Sequence, residues 1–265
     1  IHSNEESIYW SSKFAKKYST KFVYDMDSIM SEQLINNKKN ILGKMMKKIE
    51  FSAIKQSDLI LGISNNFKEF CKLAKTNLNY VTIWDVPQIE KKEKLEKRFL
   101  TKLDSNKKKI LYFGNNEEYQ GVANLLSLSK EMKEFQFILA GVGKDSIENN
   151  LVKFSKVPME QIPALMDKAD LLISPRRNGT NTPMKIYTYM SSGKPIVASD
   201  IPAHNILEDC GIIVDQEISN YKKGIFKALS KEGKELGMKA KRKVEKQYGF
   251  EKLKKLVLKE YRKLE

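Results

Sequence analysis

The densest chemistry in the chain follows the apolar tetrapeptide at 171–174, where Arg176, Arg177, Asn178, Gly179, Thr180, Asn181 and Thr182 run up to Pro183. Two guanidinium groups beside a flexible glycine and several hydroxyl and amide groups suit a ligand with many anionic oxygens, above all a diphosphate. Thr182 is a good N-cap residue, and Pro183 fits the first helical position, where its missing N–H costs nothing. The pattern predicts a helix whose unpaired N–H groups and dipole point into the loop, a natural seat for an anion. The plainer alternative is a capped helix flanked by two surface arginines, and this segment alone leaves both open.

Two other loops share the pattern. An apolar run at 110–113 leads into GNNEEYQG, from Gly114 to Gly121, and an amphipathic helix is expected from about Val122. A run at 136–140 leads into GVGK, with Gly141 and Gly143. Glycine lets backbone approach a phosphate closely. G-x-G is weak evidence by itself, and the full dinucleotide fingerprint is absent. Three such loops after successive strands weigh more than any one of them.

The elements that must hold these loops are short and apolar. Strands are expected at 21–24, 59–63, 80–83, 110–113, 136–140, 171–174, 195–198 and 212–214. Ile41, Met45, Ile49 and Ala53 recur with helical spacing, as do Ile162, Leu165, Met166 and Ala169, and Leu253, Leu256, Val257, Tyr261 and Leu264 share one helix face. Near-continuous apolar strands alternating with helices imply an α/β fold with mostly parallel sheets covered on both faces. The rhythm breaks in the lysine- and glutamate-rich stretch before Lys109, read as a solvated helix or linker. Expected boundaries are a first domain at 1–88, a charged linker at 89–108, a complete α/β domain at 109–250 and a C-terminal helix at 251–265 that packs back on the first domain. The first domain shows about three strands where a doubly wound domain has five or six, and so is expected to be partial.

Composition sets outer bounds. With 265 residues and 41% hydrophobic content the chain can build real cores, and no apolar run reaches the ~20 residues of a membrane span. It opens at Ile1 with neither Met nor a charged-then-apolar leader, which predicts a processed or truncated form. Cys71 and Cys210 are isolated thiols that suit a reducing compartment, and His2 and His204 are the only histidines. A net charge of +15 fits phosphorylated ligands, anionic lipid, nucleic acid or a lysine-rich genome. The lysines lie in helical runs such as KKEKLEKR, not among exposed aromatics and glycines, which argues against nucleic acid.

From about Lys109 to its end the chain resembles the C-terminal domain of retaining GT-B glycosyltransferases, the family four or glycosyl transferases group 1 type. The matching order is YFGNNEEYQGV, FILAGVG, a strand-turn near FSKVP, a helix ending KAD, LLISP, MSSGKPIVAS and GIIVD. SSGKPIVASDIP is the most specific stretch, and YDMDS and SDLILGIS resemble the later part of that family's N-terminal domain. The resemblance implies two Rossmann-like domains, the N-terminal one incomplete here. It also implies transfer from a UDP- or GDP-linked sugar with retention of configuration, without a metal or cofactor. By position, Gly114, Gln120 and Gly121 face the diphosphate, Lys156 and Val157 lie near the base, and Thr180, Asn181 and Thr182 meet phosphates and sugar. Gly141, Arg176 and Arg177 complete the donor-binding set. No catalytic group is fixed; the candidates are Asp27, Arg176 and Thr180.

The departures from the family pattern matter as much. Its usual pair of glutamates falls on Thr180 and Thr188, and at Thr188 a ribose-binding carboxylate is replaced by a shorter neutral hydroxyl. Its usual lysine before Gly121 is Gln120, which removes a phosphate countercharge, and Asp27 stands where relatives often carry an active-site histidine. Asp25-Met26-Asp27 also matches the D-x-D metal signature of the other major glycosyltransferase fold, GT-A, but in the wrong domain context, so no metal site is assigned. Two readings follow: a cytoplasmic glycosyltransferase with an unknown acceptor, a lipid-linked one reached from the membrane face being one candidate, or a degenerate donor-binding or scaffolding subunit completed by a partner chain.

Overall fold

Runs such as Leu-Ile-Leu-Gly and Leu-Leu-Ile-Ser lack the polar alternation of a half-solvated strand, and each becomes a parallel strand buried on both faces. The computed structural model describes residues 1–36, 38–87, 93–179 and 181–264. The chain divides into two compact units, Ile1–Asp85 with Phe250–Glu265, and Val86–Gly249.

The first unit contains β1 (His2–Ser3), α1 (Ile8–Lys17), β2 (Val23–Met26), α2 (Met30–Asn36), α3 (Asn40–Gln56), β3 (Leu59–Gly62), α4 (Asn65–Lys72) and β4 (Tyr80–Thr82). Among the described residues the strands form one parallel sheet in the order β1-β2-β3-β4. The pleat sorts its side chains. Tyr24, Met26 and Ile60 join Ile8 and Ala15 of α1, Ala53 and Ile54 of α3, and Phe67, Phe70 and Cys71 of α4 in one core. Val23, Leu59 and Leu61 face the other way, toward Val257, Tyr261 and Leu264 of the C-terminal segment. β2 runs two residues beyond the expected strand. Met26 is fully buried opposite Gly62, and the Asp25 carboxylate is held by the His2 ring at 3.0 Å.

The second unit contains α5 (Lys97–Leu100), β5 (Lys108–Phe113), α6 (Val122–Glu131), β6 (Phe135–Ala140), β7 (Ser146–Glu148), β8 (Leu151–Phe154), α7 (Ile162–Lys168), β9 (Leu171–Ser174), α8 (Met184–Ser192), β10 (Ile196–Ser199), β11 (Ile212–Val214), α9 (Ile218–Ala228) and α10 (Lys231–Gln247); α11 (Phe250–Arg262) belongs to the first unit. Its sheet runs β11-β10-β9-β5-β6-β8-β7, parallel except for β7. Ile110, Tyr112, Phe137, Leu139, Leu171, Ile173 and Val197 pack on α6 and α9. On the opposite face the Tyr189 hydroxyl of α8 ties two strands together, accepting from the Phe113 N–H at 3.1 Å and donating to the Ile173 carbonyl at 3.3 Å.

Several expectations need correction. Two strands were not foreseen, β1 and the short β7, and β8 falls at the strand-turn that the family resemblance implied near FSKVP, its apolar run interrupted by Lys153. Part of the expected linker, 88–92, lies outside the described residues. From Glu93 onward the stretch is packed into the second unit, because Leu95 and the fully buried Phe99 turn inward while the charges face water. Phe99 sits edge-on to Phe154 with ring centroids 4.8 Å apart. α8 begins at Met184, so Pro183 occupies the cap and Thr182 precedes it. Pro183 is extended, at φ −71° and ψ 143°, and only its carbonyl enters the helix, accepting from Ile186 N–H at 2.8 Å.

Candidate functional site

The chain lays down β5, continues outward through β6 and β8, then returns to place β9 on the other side of β5. At such a reversal the loops leaving adjacent strands diverge to opposite faces and open a crevice at the carboxyl ends, the usual ligand position in an open α/β sheet. The loops after β5, β6 and β9 are the three that the sequence marked with glycines or arginines.

Close backbone approach explains two of the glycines. Gly121 has φ +70°, and a Cβ there would collide with the Pro175 carbonyl oxygen, so it lets the β5 loop lie against the β9 loop. Gly114 has φ +147°, and its missing side chain leaves room for Tyr112 and Lys185 beneath it. The Gly114 carbonyl in turn sits where a Cβ of Gly141 would be, which brings the β6 loop into the same cluster.

The arginines play unlike parts. Arg176 is half-buried; its Nε donates to the Asn178 carbonyl at 2.7 Å, and its guanidinium lies 5.2 Å over the Tyr119 ring. Arg177 is exposed, its N–H bonded to the Tyr119 carbonyl at 2.7 Å and its guanidinium 3.7 Å from Glu118. Underneath, the buried His204 bridges two strand ends, 3.1 Å from Ser174 Oγ and 2.8 Å from the Ser199 carbonyl. Burial pushes its pKa down to about 4, so it is neutral at pH 7 and serves as a hydrogen-bonded prop. The Ser199 hydroxyl also holds the Arg176 carbonyl.

α8 points its N-terminus at this cluster. Pro183 has no side-chain acceptor to offer the first N–H groups of the helix, so the position favours an external anion. The second helical residue, Lys185, is only 8% exposed. Its Nζ donates to Gln120 Oε1 at 2.6 Å and to the Tyr112 hydroxyl at 3.3 Å. Burial, and then the charge of Arg176, lower its pKa to about 7.

The other sequence-selected residues are placed as follows. Gln120 is buried and occupied by Lys185. Asn181 and Thr182 are half-buried beside the start of α8, and Thr180 lies outside the described residues. Lys156 is exposed and Val157 buried, just beyond the end of β8. Thr188 is enclosed, 1% exposed, with Oγ1 3.3 Å from the Met184 carbonyl one turn back. Asp27 belongs to the first unit, its carboxyl raised by burial and by Asp25. Lys185 and His204 were not selected from sequence as site residues. The signal for Lys185 was a lone lysine opening the otherwise uncharged run MKIYTYM directly after the arginine loop.

Residues 107–231 match the family described as glycosyl transferases group 1. No curated protein matches the sequence. The structure is similar to sucrose-phosphate synthase from Thermosynechococcus elongatus, with TM-score 0.81 and 14% identity over 100% of this chain and 73% of that one. It is also similar to HepE of Anabaena, solved with UDP, with TM-score 0.76 and 13% identity over 97% and 77% of the two chains. An α,α-trehalose-phosphate synthase (UDP-forming) from Burkholderia vietnamiensis gives TM-score 0.73 and 9% identity over 99% and 74%. At these identities the structural likeness is one of fold. The crevice between β5 and β9 thus lies within the residues that match the glycosyl transferases group 1 model, and the fold of the chain is of GT-B type.

Proposed function

We propose that this chain transfers a sugar from a nucleoside diphosphate sugar to a hydroxyl-bearing acceptor, with retention of configuration. The observation that carries the reading is the convergence of the β5, β6 and β9 loops on the N-terminus of α8, beside Arg176 and Arg177. As the bond from the anomeric carbon to the phosphate oxygen breaks, negative charge grows on the departing diphosphate. Fixed cations and helix N–H groups stabilise that charge more than they stabilise the bound donor, which lowers the barrier. The proposal assigns this work to the chain's own groups, not to a metal or cofactor. Anabaena HepE, solved with UDP-glucose, favours UDP as the first nucleotide to try.

A lipid-linked acceptor has support in the first unit. Trp10 and Phe14 of α1 and Tyr18 at its C-cap are 48% to 62% exposed, with Lys13, Lys16 and Lys17 among them. Exposed aromatics flanked by lysines suit the surface of an anionic bilayer. No helix among the described residues is long and apolar enough to cross a membrane, so the proposed contact is peripheral.

Calorimetric titration with UDP-glucose and GDP-glucose, followed by assay for transfer or donor hydrolysis, tests the central reading. Saturable binding of one donor with slow release of its nucleoside diphosphate is expected. A folded protein that binds neither overturns it, and binding with no turnover under any acceptor leaves only a donor-binding role. Sedimentation with phosphatidylserine vesicles, compared with neutral ones, tests the α1 surface.

A further inference from the structure

The position before Gly121 holds Gln120, a neutral residue, yet an amine stands beside it. Lys185 reaches across from the first turn of α8 and sets Nζ 2.6 Å from Gln120 Oε1, under the backbone of Gly114, where a Cβ would stand 3.0 Å from that nitrogen. Its hydrogen-bond partners among the described residues are the Gln120 amide oxygen and the Tyr112 hydroxyl, both neutral, and Nζ also lies 4.3 Å over the Tyr112 ring. A buried ammonium with neutral partners, facing the like charge of Arg176, is an unfavourable arrangement. What relieves it is an anion arriving between the glycine loop and the helix N-terminus.

We propose that Lys185 is the chief diphosphate-binding cation of this site, supplied from α8 to the place that a lysine at position 120 would fill. The inference rests on the donor-site reading and deepens it. Tyr112 and Gln120 fix the amine at the floor of the crevice, so the charge is oriented before the ligand enters. The groups facing it are Tyr112 of β5, Gln120 of the turn at 118–120, Arg176 of the β9 loop and His204 of the turn at 202–207. None is a carboxylate, so a bound diphosphate is the negative partner that turns the amine into a stable ammonium. Donor binding should therefore take up a proton at pH 8, where the free site holds Lys185 largely neutral.

The test uses the full chain and UDP as probe. Lys185→Met should weaken UDP binding about ten- to a hundredfold, the loss of one charge-assisted contact. It should also abolish the dependence of binding enthalpy on buffer ionisation at pH 8. The paired change Gln120→Lys with Lys185→Met should restore most of the affinity by returning an ammonium to the same point from the other element. Thermal melting checks that each variant folds, and Lys185→Gln serves if the methionine variant does not. Unchanged UDP affinity and unchanged proton uptake in the Lys185 variants overturn the inference while leaving the donor site standing. A parent protein that binds neither UDP nor GDP overturns the donor-site reading, and this inference with it.

Discussion

The two units build their strand ends from opposite charges. In the first, Asp25 lies within the last part of β2, Asp27 follows it, Asp85 comes after β4 and Glu5 after β1. Burial raises Glu5, and burial with a neighbouring aspartate raises Asp27 and Asp85. In the second, the ends of β5, β6 and β9 carry glycine turns, Arg176 and Arg177, with Lys185 below them. Both sheets are parallel there, and the residues of the loops decide what chemistry the strand ends offer. One set of strand ends offers positive charge and backbone N–H groups, whereas the other offers carboxyl oxygens.

The largest expected effect separates two glycines of similar backbone geometry. Gly121→Ala should lose about 3 kcal/mol in denaturant unfolding, because a positive φ and a collision with Pro175 act together. Gly143→Ala, at φ +65° with nothing within 4 Å, should lose only about 1 kcal/mol. Equal losses would mean that the β5 and β9 loops are not in the close contact described.

A second comparison sets the two rims against each other. Arg176→Ala should weaken UDP binding about tenfold or more, whereas Asp27→Asn should leave UDP affinity unchanged and lower turnover. If Asp27→Asn weakened UDP as strongly as Arg176→Ala, the division of labour between units would fail.

Opposite charges also predict opposite pH responses. Glu5, Glu50 and Asp85 have raised pKa values in the fold, each through burial first, so the folded first unit holds protons that the unfolded chain releases. Its stability should fall as pH rises through the range just above the ordinary carboxylate values. In the second unit His204 is lowered from 6.5 to about 4 and Lys185 from 10.5 to about 7. The unfolded chain binds more protons in those windows, so stability should rise with pH between about 4 and 6.5 and again above about 7. Hydrogen exchange read by segment at pH 5 and pH 8, corrected for intrinsic rates, measures both. Parallel shifts in the two units would contradict the assignment.

Much of the architecture was legible because buried parallel strands write themselves as apolar runs. LLIS and IIV coincide with β9 and β11, and the strands expected near β3, β5, β6 and β10 end within a residue or two of the observed ones. β7 was hidden because Ser146–Glu148 has no apolar run, and β8 was visible only through the family resemblance because Lys153 breaks its run; the pair is held by ladder bonds and by Lys153 with Glu148 at 3.2 Å. The cap of α8 was misplaced by one residue because a proline suits N1 by local preference, while this one is held extended at the helix entrance. The glycine loops could be read from their positions after apolar runs. Lys185 could not, since a lysine on a helix normally carries its amine out to water, and its destination depends on a loop about 70 residues earlier.

The short antiparallel β7 has a consequence for solubility. β6, with six consecutive buried residues, is the kind of strand that templates other chains when its edge is bare. Two further strands stand between it and the sheet's end, and the outermost is three residues long, polar, and closed by a charged pair. The hairpin thus acts as a terminator that keeps one molecule's sheet from continuing into the next, and Glu148→Val together with Lys153→Val, which removes the charged pair at this edge, should make the chain more prone to form fibrils.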